Sequence, residues 1–448
     1  MSLFGAINTA ISGLTAQSAA FGNISDDVAN SQSTGFKRID TTFADYLTQS
    51  SAAQNVSGAV VARPDYVNSV QGAVSQTDNT LALAITGQGF FAVSQATGQA
   101  TSSASTPTFE PQQYYSRDGN FSMNKQGYLV NDVGQYLNGW SVNSSTGVVD
   151  QNALSPIQVT QLSYNPVATT NVTLSANLPA TPASGTATST SPLSSQVTVY
   201  DSLGTAHMVT LNWTQNASSQ WSVKVNYTDP STGNTVDAGT ADVSFGSASG
   251  NGVAEGTIGN IAASTTDPGT VTTSGYSASQ PATLNFTANF GSGTQSIALN
   301  LGTYGSSQGV TQYAGTTYKL EGLTQDGVPP GSFSSVTMQE NGNVIVNYDN
   351  GQTRTIAQIP IVTFNAPDAL QRQNGQAFTA TLASGTPLAN AAGINGAGTL
   401  TTNSVEGSNV DIATEFSNLI VAQQAYSANA KVVTTGNQMM QTTINMLG

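Results

Sequence analysis

Residues 410–448 read VDIATEFSNLIVAQQAYSANAKVVTTGNQMMQTTINMLG. Apolar residues recur there at steps of four and three: Ile412, Phe416, Leu419, Gln423, Tyr426, Ala430, Val433, Asn437, Met440, Ile444 and Leu447, nine of these eleven being apolar. A 3.5-residue period sustained over this length predicts a helix packed along another helix in a coiled coil. Its partner stands at the other end of the chain. Residues 1–30 hold no proline, and Leu3, Ile7, Ala10, Leu14, Gln17, Phe21, Ile24 and Val28 repeat the same steps. One such stripe alone reads as the buried face of a helix in a single domain. Two at opposite ends supply each other with a partner, so the simplest arrangement is a terminal α-hairpin closed by a very long insertion.

These helices are weak on their own. Gly5, Gly13 and Gly22 interrupt the first, each costing about 1 kcal/mol relative to Ala. The polar faces carry Ser, Thr, Asn and Gln instead of Glu–Lys pairs, so ion-pair support at i,i+4 is nearly absent. Gln17, Gln423 and Asn437 fix register at a cost in stability. The termini are therefore expected to be mostly disordered alone and helical once neighbouring subunits pack on them. The residues expected to make that packing are Leu3, Ile7, Leu14, Phe21, Ile24, Val28, Ile412, Phe416, Leu419, Tyr426, Val433, Met440, Ile444 and Leu447.

Between the ends the texture is that of β structure. Short runs such as Leu81–Ile85, Phe90–Val93, Tyr114–Arg117, Phe121–Met123 and Tyr128–Val130 are separated by Gly87-Gln88-Gly89, Asp118-Gly119 and Asn124–Gly127, the pattern of hairpins. Asn341-Gly342, between Val336–Glu340 and Val344–Val346, is the strongest short-range hairpin signal. Residues 147–308 differ: seven acids (Asp150, Asp201, Asp229, Asp237, Asp242, Glu255, Asp267) stand against Lys224 alone. The fold class read from this is multi-domain α+β, with coiled-coil terminal helices packed together and nested, mainly antiparallel β domains between them. The expected divisions are 1–30 plus 410–448 for the helices, 31–75 for a connecting extended segment, 76–146 plus 309–409 for an inner β domain, and 147–308 for an outer, inserted β domain.

Composition narrows the function. The chain has 448 residues, with 10 Lys+Arg against 24 Asp+Glu, a formal charge of −14. That balance argues against nucleic acid and anionic membrane surfaces as partners. No apolar run approaches the roughly 18–20 residues that span a bilayer. With no Cys and only His207, thiolate chemistry, Cys sites and a multi-His metal site within one chain are excluded. His207 reads as a half-exposed strand residue, and the acids sit largely in turns, where Asp binds its own backbone. No catalytic residue, metal ligand or cofactor site is nominated, and the chain is read as not an enzyme. The Ser/Thr/Asn/Gln/Gly-rich, Lys-poor surface looks extracellular, yet no Lys or Arg precedes Lys37 to make the basic region of a secretory signal.

The run Asp27-Val28-Ala29-Asn30-Ser31-Gln32-Ser33-Thr34-Gly35-Phe36-Lys37-Arg38 has a local logic: Asn30 ends the helix in a left-handed conformation, Gly35 permits a tight reversal, and Phe36 anchors the emerging chain. This run resembles the signature of the bacterial flagellar rod and hook axial proteins, carried here by Ala29, Asn30, Thr34, Gly35, Phe36 and Lys37. Val405–Asp411 with Leu419–Lys431 is similar to that family's C-terminal helix, where Ser408, Asn409 or Asp411 serves as the cap. Ala82–Ile85 with Gly89–Phe91, and Tyr115–Phe121 with Gly127–Val130, resemble its inner β domain. Val197–Gly204 with His207 and Trp221 resembles the outer domain of its hook members.

The resemblance implies a structural subunit of the flagellar hook, a curved and flexible extracellular tube that couples rod to filament and transmits torque. It implies partners as well: other copies of the chain in a helical homopolymer, the distal rod, hook cap and hook–filament junction proteins, and the flagellar export apparatus, with no nucleic acid and no membrane insertion. Export without a cleaved signal peptide answers the question that the composition raises. Two other readings stand beside it. A distal rod protein shares the terminal signatures but generally lacks the large insertion, and an extracellular β-rich adhesin fits the composition but not the paired heptad ends.

Overall fold

The computed structural model describes residues 3–50, 55–97, 107–143, 146–160 and 163–447. They fall into two compact units, one formed by Met1–Gln161, Ser334–Asn347 and Thr353–Gly448, the other by Leu162–Phe333 and Tyr348–Gln352.

In the first unit, helix α1 (Leu3–Ala29) and helix α2 (Ile412–Leu447) run antiparallel. Ile7 lies against Gly436, Gly13 against Asn429, and the Phe21 ring meets Tyr426 edge-on at 6.4 Å. Asp411 caps α2, its Oδ1 accepting from the Ala413 and Thr414 N–H groups at 2.9 and 3.4 Å. Asn30 does not turn left-handed as the sequence suggested. Its N–H continues the helical pattern to the Asp26 carbonyl, and the first positive φ after the helix, +68°, belongs to Gly35. The amide side chain explains the difference: its Nδ2 donates to the Asp26 carbonyl at 2.8 Å, so a right-handed turn is satisfied without reversal.

Residues 31–75 were expected to connect in extended form. Their main part is instead a long hairpin, Ile39–Ser50 against Asn55–Tyr66, with Ile39 opposite Tyr66. It lies on α1. The Val60 N–H donates to Ser12 Oγ at 3.0 Å, and Asn23 Nδ2 donates to Thr41 Oγ1 at 2.8 Å. Thr, Val and Tyr along both strands favour this paired state.

The β body of the same unit is an eleven-stranded sheet with several two-stranded ladders beside it. Phe121–Met123 pairs with Leu129–Asn131 around Asn124–Gly127, and Asn343–Tyr348 neighbours Phe333–Met338 across Gly342, as their turn residues predict. Two expected hairpins are absent. Tyr114–Ser116 pairs with Phe91–Ser94 and Ala377–Thr379, so Asp118-Gly119 joins strands that do not neighbour each other. Leu83–Thr86 pairs with Thr399–Thr402, not with the strand after Gly89. Non-local pairing overrides the turn signal at both places. At Gly119 the reason is space: a Cβ would fall 1.7 Å from the Leu83 carbonyl oxygen. Val149–Pro156, assigned from sequence to the outer domain, pairs with Tyr136–Val142 in this unit.

The second unit contains two sheets that share one apolar core. Leu193–Tyr200, Ala206–Ala217, Gln220–Thr228, Thr235–Phe245 and Ile258–Ala263 form an antiparallel meander in chain order. The other sheet is centred on Asn171–Asn177, which pairs in parallel with Thr294–Thr303 and antiparallel with Lys319–Gln325. Period-two alternation puts Val197, Val199, Trp213, Trp221, Val223 and Val225 inside. Strand Lys319–Gln325 lies beyond the 308 boundary that the sequence suggested, and its pairing makes it part of this unit.

Candidate functional site

Two features of the first unit concern assembly: a buried joint at the base of the helices, and the helical seam itself. The joint begins at Gly35. A Cβ there would lie 2.4 Å from the Asp118 backbone nitrogen, and its φ of +68° disfavours any other residue. The close approach lets the Gly35 N–H donate to the Glu406 carbonyl at 2.7 Å. Phe36 follows, fully buried, with the Arg372 guanidinium 4.3 Å above its ring.

Lys37 enters the same interior. Its Nζ lies 2.5 Å from Glu406 Oε1 and donates to the Val70 carbonyl at 2.6 Å. Arg117 holds the other carboxylate oxygen, Nη1 to Oε2 at 2.9 Å, and donates to the Ile85 and Gly87 carbonyls. The Gly72 N–H donates to Glu406 Oε1 at 2.9 Å. All three charged side chains are 0–2 % exposed. Burial pushes the Lys37 ammonium down from its usual range, and Glu406 opposes that shift. Asn409 completes the joint, its Oδ1 accepting from the Arg38 N–H at 2.8 Å while its Nδ2 donates to the Val67 and Val70 carbonyls. The start of α2, the exit of α1 and the β body are thus tied at one point.

Of the motif residues, Gly35, Phe36 and Lys37 are inside this joint, Asn30 and Thr34 are half-buried, and Ala29 is exposed. Glu406 and Arg117 were not nominated from sequence, and Asn409 was offered only as a cap of the C-terminal helix. A signal available for Glu406 is that it is the single acid between Arg372 and Asp411.

Beside the joint sits an acid pair. Asp27 is fully buried, both its oxygens facing the Ile39 N–H at 3.0 and 3.1 Å. Glu415 is buried too, with an Oε1 that takes no hydrogen bond among the described residues. Glu415 lines a groove of about 420 Å³ between α1, α2 and strand Ile39–Ser50. Burial pushes the Asp27 carboxyl up to about 7. The Ile39 N–H opposes the shift, Glu415 adds to it, Arg372 opposes it and Asp26 adds to it. The ordinary unfolded value is about 4, so the folded chain holds this proton more tightly. Stability from this group is complete below pH about 4, falls as pH rises towards 7, and levels off above. Asp27→Asn is expected to flatten that slope in urea unfolding midpoints measured from pH 5 to 8. Equal slopes in variant and parent would overturn the assignment.

Along the seam, the structure divides the nominated residues. On α1, Leu3, Ile7, Leu14, Phe21 and Val28 are half-buried and Ile24 is buried. On α2, Leu419, Val433 and Met440 are half-buried, while Ile412, Phe416, Tyr426 and Ile444 are exposed, Phe416 by 52 % and Ile444 by 62 %. The Leu447 side chain lies outside the described residues. The innermost line of α2 is Glu415, Ala422, Asn429 and Gly436, seven residues apart; Asn429 meets Gly13 and Gly436 meets Ile7 of α1, on which Ala10, Ala16 and Ala20 are buried. Small residues let the helices approach closely and leave the larger apolar side chains beside the contact. At 100° per residue, Ile412, Phe416, Tyr426 and Ile444 lie on one flank of that line, and Val421, Val432, Met439 and Met446 on the other, all of them exposed.

No helix of the described residues is long and apolar enough to cross a membrane. In the second unit, His207 stacks on Phe290 at 4.4 Å and its Nε2 lies 3.3 Å from Asp201 Oδ2, an oxygen that Ser292 Oγ also reaches at 3.3 Å.

Three family models match the chain. Residues 84–177 match the flagellar hook protein FlgE/F/G D1 domain, residues 166–328 the flagellar basal body protein FlaE D2 domain, and residues 401–446 the flagellar basal body rod FlgEFG protein C-terminal region. The chain is 29% identical over 462 aligned residues to the flagellar hook protein FlgE of Brucella abortus, covering 100% of both. It is 28% identical to that of Escherichia coli K12, covering 98% of this chain and 100% of the other. With the hook protein of Caulobacter vibrioides, identity is 39% over 127 residues, or 28% of this chain and 22% of that one. Among solved structures, the Helicobacter pylori flagellar hook protein FlgE2 aligns with a TM-score of 0.46 and 15% identity over 73% of this chain and 98% of the other. With relatives matched from end to end and three matching models in chain order, the chain belongs to the flagellar hook proteins and is a structural subunit of the hook.

Proposed function

We propose that the chain polymerises through its terminal helices into a tube that bends while transmitting torque. The observation that carries this reading is the pair of uncovered apolar flanks on α2. A helix already packed along α1 has no need of Ile412, Phe416, Ile444, Val432 and Met439 for that contact. Left in water they are costly, and further helices on both sides cover them. Identical copies supply such helices. The contacts of the helices are then fixed and apolar.

The second unit supports bending. Its surface is rich in Ser, Thr, Asn and Gly and carries few ion pairs, of which Lys224 with Asp237 and Asp267 is the main cluster. Such surfaces offer many near-equivalent weak hydrogen bonds and few rigid pairs, so neighbours can slide at little cost. Passage through the flagellar export apparatus, and end contacts with distal rod, hook cap and junction proteins, belong to the same reading. A chain deleted for Leu162–Phe333 is expected to form tubes in cells that no longer curve normally in electron micrographs. Hooks of unchanged curvature would overturn the role of this unit.

A further inference from the structure

The region between Arg372 and Glu406 contains no charged residue, in a chain whose formal charge is −14. It belongs to the β body of the first unit. Within it Leu382 is wholly exposed, at 102 %. Its position is not a loose one. The Thr381 N–H donates to Ser384 Oγ at 2.9 Å, the Ser384 N–H donates to Thr381 Oγ1 at 3.1 Å, and Ser384 Oγ donates back to the Thr381 carbonyl at 2.9 Å. Thr381 Oγ1 donates to the Ala369 carbonyl at 2.7 Å, and the Ala366 N–H donates to the Ser384 carbonyl at 3.2 Å. Ser384 itself is fully buried. The turn is therefore fastened to the body, with a leucine held at its tip.

More apolar surface follows in the same uncharged run. Leu388 is 56 % and Ile394 53 % exposed. Leu388 belongs to strand Leu388–Asn390, which pairs only with Ile361–Thr363 among the described residues, so its other edge is open. Leu388, Phe364, Asn365 and Ala366 line a groove of about 590 Å³. The one acid in that groove, Asp368, is engaged by the N–H and Oγ of Ser69.

We propose that this uncharged rim, with Leu382 as its anchor, is a contact surface for a second copy of the chain, separate from the helical flanks. The argument for a copy is electrostatic. Identical subunits of charge −14 repel wherever their acids face, so they meet at least cost where no charge lies. A basic partner would be drawn to the acidic surfaces instead. The contact is heterologous, the tip of one subunit seating on a different patch of the next, which is the geometry that builds open helical polymers. This inference rests on the polymer reading above.

The test uses the full-length chain in cells that build hooks, with a photo-crosslinking benzophenone residue at position 382. Irradiated hooks are expected to yield covalent dimers and higher multiples of the 45.8 kDa chain, while unassembled chain remains monomeric. Leu382→Asp is expected to weaken subunit addition about tenfold or more and give fewer, shorter hooks, with unchanged thermal unfolding of the free chain, since the side chain is already in water. Intact irradiated hooks without covalent multimers, crosslinks to a different protein, or L382D hooks of normal number and length would each overturn the proposal. Absence of the unsubstituted chain from isolated hooks would instead overturn the polymer reading beneath it.

Discussion

Glu406→Gln is expected to destabilise the chain by about 3–5 kcal/mol, the range found when one partner of a buried charge group is removed. The size follows from what remains. Lys37 and Arg117 are both enclosed, and Gln supplies neither with a counter-charge. Arg117 cannot shed its proton at any ordinary pH, so the variant either keeps a buried cation or opens the joint. Lys37→Met is expected to cost less, because Arg117 and Glu406 still pair. Urea unfolding of the two variants separates these cases. A loss under about 1 kcal/mol for E406Q would mean that the group contributes no more than a surface pair. The joint ties residues from three distant parts of the chain, so its loss also frees the helical base from the β body. Hooks built from E406Q chains are accordingly expected to shear under load.

The largest effect on assembly is expected from Phe416→Asp combined with Ile444→Asp. Both positions are more than half exposed in the single chain, so the free variant should keep its helical content and unfolding midpoint. In a polymer each loses the burial of a large apolar side chain, about 1.5–3 kcal/mol apiece. Together that is about a hundredfold or more in the association constant, before the desolvation of two carboxylates is counted. Polymer yield after sedimentation is the measurement. Wild-type yield would place the helical contacts elsewhere on α2.

The division between what was legible in the sequence and what was not follows physical lines. The heptad stripes announced two paired helices because large apolar residues dominate any periodic pattern. The same dominance hid part of the intrachain contact, although Ile7, Phe21 and Tyr426 of the stripes do take part in it. Gly13, Ala422, Asn429 and Gly436 carry little hydrophobic signal, yet closeness of approach makes them the seam, and Phe416 and Ile444 stand outside it. The β core of the second unit was readable from alternation, as at Trp221, Val223 and Val225. Strand partners in the first unit were not, since Leu83–Thr86 pairs with a strand some 300 residues later. Gly35, Phe36 and Lys37 were singled out by their local run and by family resemblance. Glu406 and Arg117 were not, because the two bonds that define the cluster span 369 and 289 residues.

The antiparallel pairing of α1 with α2 also sets an order of events. Gly13 meets Asn429, so closing that contact fastens a loop of more than 400 residues, at an entropic cost of about 5 kcal/mol for an otherwise unstructured chain. Contacts of such separation form late. The meander from Leu193 to Ala263 pairs only sequence neighbours and can close early. A chain delivered amino end first therefore carries α1 with its hairpin but without its helical partner until nearly its last residues arrive. In the assembly proposed above, the surface that joins one copy to the next is then the last to mature, and the connectivity of the chain itself is expected to delay its association.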